Sequence, residues 1–165
     1  MKYLIENIIQ QLESVQNGKL WIGSTFDSKL NQVDENWVFL RPIESLHSVA
    51  EIISHLTFWR QETILKIQTG KGSKTDDCVE NWLDNDKLKT IGWDNIKSEY
   101  DRTLSELIDL LKSKNDEFLN ELYYDTDFKG DYEYQFVING MLHHDIYHLG
   151  QLGIVIEYLK KRNKC

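Results

Sequence analysis

Met141-Leu-His-His-Asp-Ile-Tyr-His-Leu-Gly-Gln151 lies inside a segment that reads as one long helix, Tyr132 to about Lys161, with apolar residues at Val137, Met141, Leu152, Val155 and Leu159. His144 and His148 fall on that stripe. Four helical residues turn through about 400° and rise about 6 Å, so the two imidazoles stand one above the other on one face. That is the spacing with which a helix offers two nitrogens to one metal ion. Five His in 165 residues give such a pair by chance about 0.15 times, so the pair alone is a weak signal.

A third histidine strengthens it. Ser48-Val-Ala-Glu-Ile-Ile-Ser-His-Leu-Thr-Phe-Trp-Arg60 is a second helical pattern, and His55 sits in its apolar face beside Ile52, Leu56 and Trp59. Any one of these His, taken singly, is best read as a hydrogen-bonded core residue. Two imidazoles from one helix and one from a facing helix make a three-nitrogen site with an open position, as catalytic metal sites have. His55, His144 and His148 are therefore the expected metal ligands. With no carboxylate at the motif's metal positions, the divalent ion expected is Zn²⁺ or Ni²⁺, not separated by sequence from Mn²⁺ or Fe²⁺, rather than Mg²⁺ or Ca²⁺.

With these residues in place the chain resembles the DinB-like family of metalloenzymes. That family's pattern is a His in the second helix, often followed by an aromatic residue, and a late His-x-x-x-His followed by Gly-Gln. Here the matching residues are His55, in Ser-His-Leu-Thr-Phe-Trp59, and His144-Asp-Ile-Tyr-His148-Leu-Gly-Gln151. The resemblance extends over most of the chain. It implies an all-α fold, a four-helix bundle with a long crossover connection, and frequent homodimers. It also implies a metal-dependent enzyme acting on a small-molecule substrate, foremost a transferase using a low-molecular-weight thiol, with a hydrolase as the alternative. A non-catalytic bundle that binds metal or a small ligand is the rival from another class. A base for such chemistry is a metal-activated water, or Asp145, Tyr147 or Gln151; for Asp145 and Tyr147, which lie on other faces than the His pair, surface or packing is the plainer role.

The bulk numbers set limits. A 165-residue, 19.5 kDa chain is expected to be one domain, residues 1–165, with a full core. Hydrophobic content of 41% with 12% aromatics excludes a disordered chain. A net charge of −8 argues against nucleic acid, whose backbone demands clustered Lys and Arg. The run Lys160-Lys161-Arg162-Asn-Lys164 reads as a helix C-terminus complementing its dipole. No stretch reaches the ~18 apolar residues of a membrane span. Glu6, Asn7 and Gln10 interrupt any signal-peptide core. Cys78 and Cys165 form no metal or redox spacing, and a cytoplasmic protein is expected.

Residues 2–16 read as a first helix closed by Asn17-Gly18, and residues 19–42 as a partly packed connection with one helical turn at 27–33. Trp21, Phe26, Trp37 and Phe39 in that connection offer apolar surface to a second copy of the chain. Ser48-x-x-Glu51 reads as a capping box opening a helix to about Thr69; Glu51 is also one turn before His55, but capping is its better use. From Gly70 to Ile91 a long polar loop is expected, anchored by Trp82 and Leu83 and able to cover the site. A third helix spans Trp93 to Ser113, with a short turn at Asp116, and residues 123–131 connect to the last helix. Gly140, Gly150 and Gly153 in that helix call for a close backbone neighbour, or else shape the surroundings of the motif.

Overall fold

The computed structural model describes residues 2–162, so Lys164 and Cys165 lie outside it. Four long helices form the bundle: α1 (Tyr3–Asn17), α3 (Val49–Thr69), α5 (Trp93–Lys112) and α6 (Tyr134–Arg162). Two short helices, α2 (Phe26–Leu30) and α4 (Asn85–Ile91), ride on the connections. Helix α3 is the spine and packs against both α5 and α6. His55 meets His144 while Lys66 meets Tyr134, so α3 and α6 run antiparallel. The basic residues Lys160, Lys161 and Arg162 form the last turn of α6. No helix among the described residues is long and apolar enough to cross a membrane.

The capping box starts α3 as its sequence dictates. Ser48 Oγ accepts the Glu51 N–H at 3.1 Å, and the Glu51 carboxylate accepts the Ser48 N–H at 2.7 Å. Arg41 then forks onto the same buried carboxylate, so Glu51 is spent on the helix entry and not on His55. The helix ends at Gly70, whose φ of 74° is a left-handed conformation that favours glycine. At the end of α1 the reason for glycine is different. Gly18 is extended, but a Cβ there would sit 2.6 Å from the Cα of Ser14.

Three sequence expectations change. The segment 70–91 is not open loop: it holds a 3-10 turn at Val79–Trp82 and then α4, whose first turn is capped by Asp84 accepting from the Lys87 N–H. Residues 122–133 form a hairpin, β1 (Leu122–Asp125) and β2 (Gly130–Glu133), paired antiparallel with Leu122 opposite Glu133. Four-residue strands are too short to show an alternation against helical neighbours. The glycines of α6 have no close backbone neighbour. A Cβ at Gly140 or Gly150 would meet nothing within 4 Å, and at Gly153 only the Lys29 side chain. Among the aromatics expected at a subunit face, Phe26 is fully buried, Trp37 and Phe39 are half-buried against the core, and Trp21 alone is fully exposed.

Beneath the core's apolar layer runs a polar chain. Arg60 is 1% exposed and donates to Asp145, also 1% exposed, at 2.9 Å. Its guanidinium lies 4.1 Å over the Tyr100 ring and donates to the Tyr100 hydroxyl. That hydroxyl donates to Gln16, and Gln16 donates to Asp27, so α6, α3, α5, α1 and α2 are tied in one line. Burial is the largest influence and works against the Arg60 charge, but Asp145 and Tyr100 together, through charge and hydrogen bonds, outweigh it and hold the guanidinium protonated above its ordinary pKa. Burial lifts the Asp145 carboxyl above the usual range, yet a guanidinium that cannot shed its proton keeps it as partner. Removing one member of a buried pair leaves the other uncompensated. Asp145→Ala should therefore lose about 3–5 kcal/mol in urea unfolding, whereas the apolar double variant Arg60→Met/Asp145→Leu should keep most of the stability. Equal losses in the two would show that the pair does not carry this weight.

Candidate metal centre

The antiparallel α3–α6 contact brings the three expected histidines together. His144 Nε2 lies 3.0 Å from His55 Nε2 and 3.0 Å from His148 Nε2. One ligand atom from each falls within 4.8 Å of the others, and among the described residues no fourth His, Cys, Asp or Glu joins the group.

The outer nitrogens explain which way these rings carry their protons. His55 Nδ1 faces the Asn81 carbonyl at 3.1 Å, and His148 Nδ1 faces the Gln151 side-chain carbonyl at 2.7 Å. A carbonyl only accepts, so each Nδ1 is the donor and each Nε2 points a lone pair inward. A single Nε2–H on His144 could satisfy one of those two lone pairs and not both. His144 Nδ1 is itself buried without a hydrogen-bond partner. A cation at the centre accepts all three Nε2 lone pairs, so the donor set fits a divalent metal. A tetrahedral ion with nitrogens at about 2.05 Å would hold them about 3.3 Å apart, so the two 3.0 Å separations at His144 would need to widen by only ~0.3 Å.

Burial depresses all three imidazoles, to about 4 at His55, about 3 at His144 and about 4 at His148. Each is neutral at pH 7, the form that ligates.

The structure also supplies supports that the sequence did not announce. The 3-10 turn of residues 79–82 lies over His55. Its Asn81 carbonyl fixes the tautomer, and the Trp82 indole stacks on the His55 ring at 3.8 Å and 8°. His47 stacks on the other indole face at 3.7 Å and 9°. Trp82 was legible only as a loop anchor, because its partner lies 27 positions away with no periodic relation. Gln151, a possible base by sequence, instead orients His148 one turn away. Asp145 is not on the surface and not at the site: it faces Arg60. Tyr147 is 62% exposed, its ring edge-on to His148 at 5.0 Å. His143 is exposed at the mouth of an adjoining cavity.

That cavity, of about 870 Å³, opens on His55 and His144 between α3, α6 and the hairpin. Cys78 lies in a different depression, with Lys74 and Phe58.

A family model of the DinB superfamily matches residues 23–152. The chain belongs to the DinB superfamily. Among solved structures it is similar to YfiT from Bacillus subtilis, a probable metal-dependent hydrolase with an unusual four-helix bundle topology, at 11% identity and a TM-score of 0.66, over 99% of this chain and 90% of that one. At that identity the likeness speaks for the bundle alone. No curated protein matches the chain.

Metal titration should give one divalent ion per chain, lost in His55→Ala, His144→Ala and His148→Ala and retained in His47→Ala and His143→Ala. Trp82→Leu should bind in the same place but about 10-fold more weakly, as loss of a supporting contact does. Retained metal in His55→Ala would break the cross-helix arrangement. The pH dependence follows from the same burial. Unfolded imidazoles titrate near 6.5, whereas these do so at about 3 to 4 when folded and metal-free. Between those values the unfolded chain takes up protons that the folded chain does not. Stability of the metal-free protein should thus fall as pH drops from about 6.5 towards 4, and less steeply in His144→Ala. A flat urea midpoint across that window would contradict it.

Proposed function

We propose that this chain is a metal-dependent enzyme of the DinB superfamily in which a Zn²⁺ or Ni²⁺ ion on His55, His144 and His148 activates a low-molecular-weight thiol for transfer to a small electrophile. The observation that carries the reading is the triad's setting: three inward Nε2 lone pairs beside a cavity of about 870 Å³ that only His55 and His144 of the three border. A purely structural ion would favour a closed shell of protein ligands. Bound there, a divalent ion supplies Lewis acidity, drawing the pKa of a thiol or water placed against it towards neutrality.

The chain's own residues then have distinct tasks. Asn81 and Trp82 hold His55, and Gln151 holds His148, so two of the three imidazoles cannot swing or change tautomer. His144, free at Nδ1, is the one facing both the cavity and its two partners. No protein base of the expected set reaches the centre, since Asp145 is consumed by Arg60. A bound cation would then supply the nucleophile's acidity. In a second reading water replaces the thiol and the reaction is hydrolysis, the class of activity that YfiT's description gives for that protein.

Cobalt substitution separates them. Adding 2-mercaptoethanol to the Co²⁺-loaded protein should raise a near-ultraviolet thiolate charge-transfer band, unchanged in Cys78→Ser and absent in His148→Ala. A visible spectrum unmoved by thiol would reject the transferase and leave hydrolysis ahead.

A further inference from the structure

We infer that the cavity beside the triad takes an uncharged, apolar substrate group, an aromatic ring or short alkyl chain that lies over Gly140 and ends against Phe128, Tyr132 and Phe136. The inference rests on the reading of the triad as the reacting end of that cavity.

On α6 the positions 136, 140, 144 and 148 are spaced four apart, so Phe136, Gly140, His144 and His148 descend one face. All but His148 border the cavity. Phe136 and His144 are eight residues apart, about 12 Å along the axis. Between them stands a glycine, exposed, in a helix interior where glycine lowers stability and alanine would not. Backbone conformation does not require it, and a Cβ there would meet nothing within 4 Å. What the missing side chain leaves is a trough from the metal triad to the aromatic rings.

Those rings form a wall assembled from two elements. Phe128 and Phe136 pack edge-on at 5.4 Å, Tyr132 stacks on Phe136 at 4.7 Å, and Phe128 meets Tyr132 at 5.9 Å. Yet Phe128 is 59% and Phe136 43% exposed. The aromatic surface faces the cavity with its apolar area uncovered, and an apolar group placed there is removed from water along with it.

The charges around the cavity argue against an anion. Its one lysine, Lys66, is committed: Asp125 lies 2.8 Å from its Nζ and Glu62 4.0 Å. The other charged groups of the lining are the carboxylates of Asp76, Asp127 and Glu133. A substrate carboxylate or phosphate in the trough would meet these with no uncommitted cation of the protein to balance it.

A matched pair of dyes tests both halves of the inference. N-phenyl-1-naphthylamine is neutral; 8-anilinonaphthalene-1-sulfonate carries the same rings with a sulfonate. Fluorescence titration of the Zn²⁺-loaded protein should show the neutral dye binding at least ~10-fold more tightly than the sulfonate. Gly140→Leu, which fills the trough at an exposed helical position, and Phe136→Ala, which removes the end wall, should each weaken the neutral dye by ~10-fold. Zinc content, measured on the same samples, should be unchanged in both. Equal or tighter binding of the sulfonate, or unaltered binding in Gly140→Leu, would overturn the inference with the metal centre intact. A wild-type chain that binds the neutral dye but no zinc would sink the metal reading and leave the trough.

Discussion

The buried ion pair between Arg60 and Asp145 fixes how α6 is turned against α3, and the site depends on that rotation. Asp145 follows His144 directly, and Arg60 is five residues beyond His55 on the facing helix. A helix turned by one residue, about 100°, would bury a different side chain against Arg60 and move His144 out of reach of His55. The pair is a poor way to gain stability, since desolvation consumes most of its attraction. Its directional value is greater. A guanidinium has donors in fixed directions, and the single bond from one terminal nitrogen to Asp145 Oδ2 constrains where that carboxylate, and with it α6, can sit.

From Arg60 the constraint spreads through Tyr100 to Gln16 and Asp27, reaching every long helix. The centre is therefore held on its inner side by a line of hydrogen bonds and on its outer side by the short turn carrying Asn81 and Trp82. Two of the three imidazoles are locked by these supports. The third, His144, is held by its neighbours alone and faces the cavity. Were an ion bound on the triad, its hold and the seating of residues 79–82 would be coupled: what steadies His55 would strengthen the ion's hold, and the ion would steady the turn, by the reciprocity of linked equilibria.

The hairpin completes the cavity by a different device. Asp125 accepts from Lys66 and Tyr123 on one oxygen and from the Asp127 and Phe128 N–H groups on the other. One carboxylate thus neutralises the cavity's lysine and sets the turn that presents Phe128. Tyr124 exchanges backbone hydrogen bonds with Gly70 and Gly72, fastening the hairpin to the end of α3. Phe128 of the hairpin and His55 and His144 of the triad consequently line one cavity.

The residues that sequence alone assigns are those linked by helical period or local capping. His144 and His148 share a face because of their spacing, His55 lies in a second apolar stripe, and Ser48 with Glu51 starts the helix that carries it. These signals are short-range, so they survive in one dimension, and with the resemblance they carry the bundle and the triad. Tertiary structure alone decided the rest. Arg60 with Asp145, Asn81 and Trp82 with His55, and the placing of Phe128 beside Phe136 pair residues far apart in the chain, with no period to mark them. Asp145 in particular belongs to the face opposite its true role if the helix is read by hydrophobicity, because a charge reads as surface until a buried guanidinium is found to face it. Gly140 is likewise legible only as a weak point in a helix. That it leaves open space, rather than admitting a neighbouring backbone, depends on what the fold brings near it, and there the fold brings nothing within van der Waals contact.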